Sequence, residues 1–81
     1  MKKEELNQIF AGVISLLRNA PKTIVMDNRG TTRGQVYEIR TASHKQAETG
    51  IGDRLLFIGS RSETAKYLQG YRDCIIECQQ Q

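Results

Sequence analysis

Two stripes of apolar residues at helical spacing, one near each end of the chain, constrain this sequence more than any other feature. Across residues 3–19, Leu6, Ile9, Phe10, Val13, Leu16 and Leu17 recur at the three- and four-residue steps that line one face of an α-helix. Glu4 and Glu5 lie at its start and Arg18 near its end, the charge order a helix dipole favours. Asn19, Ala20 and Pro21 then stop it. Residues 61–78 carry the second stripe, with Ala65, Tyr67, Leu68, Tyr71, Cys74, Ile75 and Cys78. Each helix has a single apolar side, so each must bury that side against another element.

The material between the stripes reads as that element. Residues 23–27, TIVMD, are short, apolar and β-branched, the pattern of a strand. Residues 35–41, QVYEIRT, alternate, with Tyr37 and Ile39 on one face and Glu38 and Arg40 on the other. The turn formers NRGTTRG join the two, which predicts a hairpin with a projecting loop. Residues 42–52, ASHKQAETGIG, have no period and hold two glycines, so a mobile loop is expected. Residues 54–58, RLLFI, predict a third strand that is apolar on both faces, so something must cover both. The expected fold is α+β, in the order α-β-β-β-α: a three-stranded antiparallel sheet with two helices on one face. A homodimer would account for the second apolar face of the third strand. Gly12 and Gly70, each inside a helix, are read as places where another helix comes close.

At 81 residues the chain has room for a single domain over 1–81, with fraying expected at 1–3 and 79–81. A domain this small often gains burial by pairing with a second copy. No apolar run reaches the roughly 18 residues that span a bilayer. MKKEELNQIF lacks the pattern of a secretory leader, and with two cysteines the expected setting is the reducing cytoplasm. The net charge of +3 is mildly basic. It admits nucleic acid as a partner without requiring it.

Three segments carry candidate chemistry. The loop DNRGTTRG places Arg29, Thr31, Thr32 and Arg33 on a glycine-containing turn, a set suited to phosphates or to an acidic protein surface. Arg40, Lys45 and Arg54 would extend that basic side, though Glu38, Glu48 and Asp53 interrupt it. The turn Ser60, Arg61, Ser62 lies between a strand and a helix, where an anion could meet helix-start amides. Glu63 stands three residues after Ser60, however, and that spacing is a capping box, which satisfies the same amides from within the chain. Arg61 is what the cap leaves over.

The remaining reactive side chains point away from catalysis. His44 has no nucleophile and acid set beside it in the sequence and is expected to be an exposed loop residue. Cys74 and Cys78, at i and i+4 on the apolar stripe, are expected to be buried reduced thiols. Together with His44 they make three zinc ligands, one short of a closed structural site. Nothing asks for a cofactor or a metal. Of the five aromatics, Phe10, Phe57, Tyr67 and Tyr71 are assigned to the core and Tyr37 is not. The expected function is therefore a small non-enzymatic interaction or regulatory protein, of inhibitor type, that binds a protein partner as a homodimer. A nucleic-acid module using the basic loop surface is the first alternative. A nucleotide or other small anion held at residues 59–63 is the second.

Overall fold

The computed structural model describes residues 2–30 and 34–79. Helix α1 (Lys3–Leu16) leads into strand β1 (Thr23–Asn28) and strand β2 (Tyr37–Ala42). A short helix α2 (His44–Thr49) follows, then strand β3 (Leu55–Gly59) and helix α3 (Arg61–Gln79). The sheet is antiparallel throughout in the order β1-β2-β3, so β1 and β3 are its edges. The α+β class and the layout expected from the periodicity are what the chain adopts, with α2 as an addition. Lys3 and Gln79, expected to fray, are helical, while Met1, Gln80 and Gln81 lie outside the described residues.

The core forms where α1 and α3 pack on one face of the sheet. Leu6, Val13 and Leu17 from the first stripe meet Ile24, Tyr37, Ile39, Ala65 and Leu68 in one buried cluster. Tyr37 is more deeply buried than any other aromatic, at 2% exposure. Its hydroxyl accepts a hydrogen bond from Arg61 Nε at 3.3 Å, which is how a phenol is accommodated there. Tyr37, left out of the expected core, thus belongs to it, pointing inward beside Ile39 as the alternation of β2 requires. Phe57 stacks on Tyr67 with ring centroids 4.7 Å apart, and Tyr71 tilts against Tyr67 at 6.0 Å. Burial raises the Tyr67 hydroxyl above its ordinary pKa, with Tyr71 adding to the effect.

A register shift between Ile39 and Arg40 leaves Leu56 as an extra residue in β3. Strict alternation would send Leu56 and Phe57 to opposite faces, but with this bulge both pack against the core cluster. Leu55 and Ile58 are left outside it, at 42% and 54% exposure. Ile58 pairs with Glu38, whose neighbours Tyr37 and Ile39 both face the core, so it belongs to the opposite side of the sheet.

Within 42–52, expected to be a loop, His44–Thr49 form the helix α2. Ser43 Oγ accepts from the Gln46 amide at 3.0 Å, and Gln46 Oε1 accepts from the Ser43 amide at 2.8 Å. This reciprocal cap starts the helix, and Gly50, at φ 76°, ends it in the left-handed conformation that glycine adopts without strain. Six residues are too few to display an apolar period, which is why the helix is invisible to that test.

The glycines within the long helices do not mark close approaches. A Cβ on Gly12 or Gly70 would meet nothing within 4 Å. Gly52 is the tight position: a Cβ there would lie 2.5 Å from Arg40 Cβ and 2.7 Å from Val25 Cγ2. The chain between α2 and β3 thus presses directly onto the sheet at Val25 and Arg40, the side away from α1 and α3.

Candidate functional site

The side of the sheet turned away from α1 and α3 is only partly covered, and its centre is ionic. Glu38 is buried, at 6% exposure. Arg29 Nε lies 3.0 Å from its Oε1 and Arg40 Nη2 lies 3.2 Å from its Oε2, so each carboxylate oxygen has its own guanidinium. Arg40 also donates from Nη1 to the Asp53 carbonyl at 3.2 Å, tying the α2–β3 connection to the same network. Charged groups this buried are tolerated only when paired. The arrangement follows from register: Glu38 and Arg40 share a face of β2, and Arg29 continues the β1 side of the hairpin by donating a hydrogen bond from its amide to the Val36 carbonyl.

Around this charged centre the chain exposes apolar side chains. Leu55 and Ile58 flank it on β3, and Ile51, 64% exposed, stands in the connection that crosses the same face. Exposed aliphatics are individually ordinary; here Leu55 and Ile58 stand directly across from Arg40 and Glu38 of the ion-paired centre.

The described basic residues singled out in the sequence take different places in the fold. Arg29 and Arg40 converge on Glu38. Arg61 bonds to the hydroxyl of inward-facing Tyr37, on the helix side of the sheet. Lys45 lies in α2, and Arg54, exposed, precedes β3, where its carbonyl accepts from the Thr41 amide at 2.9 Å. Thr31, Thr32 and Arg33 lie outside the described residues. His44 is exposed, as expected, but it opens α2, and its Nε2 contacts the Ala20 carbonyl at 2.6 Å.

At the β3–α3 turn the capping box is formed. The Glu63 amide donates to Ser60 Oγ at 3.2 Å, and the Ser60 amide donates to Glu63 Oε1 at 3.0 Å. Hydrogen bonds from the Ser60 backbone and hydroxyl hold the Glu63 carboxyl below its ordinary pKa, with Lys66 helping. Thr64 closes the turn by donating from Oγ1 to the Ser60 carbonyl at 2.7 Å. A carboxylate thus occupies the place a bound anion would take; Ser62 remains exposed beside it.

No family model, curated protein or solved structure matches this chain. Its function must be read from its surfaces.

Cys74 and Cys78 depart from expectation: both are exposed, free thiols. The stripe on α3 continues past the elements it packs against. At about 1.5 Å per residue, 19 residues outreach the 14 of α1, and among the residues whose burial is described none after Leu68 is fully buried. Tyr71, Cys74, Ile75 and Cys78 line a shallow depression of about 360 Å³ there. The charge and hydrogen bond of Cys78 raise the Cys74 thiol above its ordinary pKa, which disfavours its thiolate form. Among the described residues no group of three His, Cys, Asp or Glu side chains could hold a metal ion. Likewise, no described helix is long and apolar enough to cross a membrane.

Proposed function

We propose that this protein is a small non-enzymatic binding protein that engages a macromolecular partner with the open face of its sheet. The observation that carries this reading is the exposure of Ile51, Leu55 and Ile58 around the ordered Arg29–Glu38–Arg40 network. The aliphatics supply apolar area to bury on contact, while the paired charges give the patch an orientation without leaving a bare charge to desolvate. A protein partner fits this composition better than a nucleic acid does. Two of the arginines a phosphate backbone would use, Arg29 and Arg40, are already engaged by a buried carboxylate.

The test is affinity capture from the source cell with two baits, the natural chain and the double substitution Leu55→Thr, Ile58→Thr. The reading predicts a retained protein that the substituted bait loses while its thermal melting stays close to that of the natural chain. Identical captured sets from the two baits would overturn it. Capture of nucleic acid that washes off steeply with salt would replace it with the nucleic-acid alternative.

A further inference from the structure

The edge of the sheet at β1 carries a second feature, separate from the open face. A groove of about 520 Å³ runs along it, with Phe10 and Ile14 of α1 and Arg18 just beyond its end on one wall, and His44 and Ala47 of α2 on the other. The floor is β1 from Thr23 to Met26. The Arg29 amide donates to the Val36 carbonyl, so alternation turns the backbone groups of Asp27, Val25 and Thr23 toward β2. Those of Ile24, Met26 and Asn28 therefore point outward, an unpaired ladder between apolar walls.

Three observations say what fills it. The groove lining contains Arg18 and His44 at the end where β1 begins, and no carboxylate. Asp27, at the other end of β1, sits directly across the ladder from Glu38, a like charge, and has no ion pair of its own among the described residues. Thr23 is buried at 5% exposure, and its hydroxyl has no hydrogen-bond partner. The groove therefore selects an extended, apolar segment that runs antiparallel to β1 and ends in a carboxylate. The sequence of β1 itself, TIVMDN, is such a segment.

We propose that two copies of this chain pair through β1, antiparallel and about a two-fold axis at Val25, forming a continuous six-stranded sheet. Only registers that set outward-facing residues against each other complete the ladder, and this one pairs Ile24 with Met26 of the second copy. It also sets Thr23 opposite the second copy's Asp27 as a pair whose side chains approach closely. Each Asp27 carboxylate then comes to lie beside Thr23, next to the end of the groove lined by Arg18 and His44, with Lys22 exposed one residue before β1. The apolar walls at Phe10 and Ile14 are covered in the same step.

Sedimentation velocity of the full chain, with the natural protein and two charge variants, tests this. The natural chain is expected to dimerise. Asp27→Lys and the double variant Arg18→Glu, Lys22→Glu are each expected to dimerise at least about tenfold more weakly, because every contact at the two ends becomes like-charged. An equimolar mixture of the two variants restores opposite charges at both ends and should recover the dimer, which no defect in folding could produce. A natural chain that stays monomeric at high concentration would overturn the proposal, as would a mixture that fails to recover. A dimer that survives both variants but is lost with Leu55→Thr, Ile58→Thr would place the contact on the open face and also overturn it. Partner capture through the open face stands or falls separately, since a monomer that still loses its partner on substitution of Leu55 and Ile58 would contradict only the pairing of β1.

Discussion

The two faces of the sheet use similar residues to different ends. On the helix side, Ile24, Tyr37 and Ile39 are buried to 2% exposure or less, against α1 and α3. On the other side, Leu55 and Ile58 remain about half exposed beside a glutamate buried by two arginines. The first face stabilises the fold by removing apolar area from water. The second leaves apolar area in water and buries charge instead, which is costly unless something else is gained. Burial on one side therefore serves folding, and exposure on the other leaves the apolar area that the proposed contact would use.

If that division is right, substitutions on the two faces should separate in size. Ile39→Ala, at the centre of the covered face, is expected to destabilise the chain by about 2–5 kcal/mol in urea unfolding, from lost transfer energy and the cavity left behind. A smaller loss would mean the helices can settle onto the sheet and that the covered face is loosely packed. Glu38→Ala should cost about 1–2 kcal/mol, since two guanidinium groups lose their acceptor but can reach water, and Asp27 loses a like-charged neighbour. A loss as large as that of Ile39→Ala would erase the distinction between the faces.

The helix side has a control at its border. Removing the Ser60 hydroxyl by Ser60→Ala should cost about 1 kcal/mol at neutral pH through loss of the α3 cap. Glu63 has a lowered pKa in the folded chain, so its contribution is present above its unfolded pKa and is lost as pH falls through the folded value. The gap between the natural chain and Ser60→Ala should accordingly shrink in acid, measured as the difference in unfolding midpoints between pH 7 and pH 3.

The faces were partly legible in the sequence, and the reasons divide by distance along the chain. Alternation in QVYEIRT placed Tyr37 and Ile39 opposite Glu38 and Arg40 correctly, because period two is a local property. The same rule described β3 less well, since the bulge that turns both Leu56 and Phe57 to the core depends on pairing with β2. The cap at Ser60 and Glu63 was readable from its spacing. The cap at Ser43 and Gln46 has the same spacing and was equally open to reading, but no apolar period followed to draw notice to it. The exposure of Cys74 and Cys78 was hidden because a stripe shows which side of a helix is apolar, not where its neighbours end. The arginine pair on Glu38 and the groove beside β1 were out of reach, as both depend on which elements lie on which side of the sheet.

The smallest expected effect is the most telling. Urea unfolding of the double substitution Leu55→Thr, Ile58→Thr tests directly whether the open face is surplus to folding. The account predicts a stability within about 0.5 kcal/mol of the natural chain, as for ordinary surface positions. A loss of more than about 2 kcal/mol would show that Leu55 and Ile58 serve the fold and contradict the account.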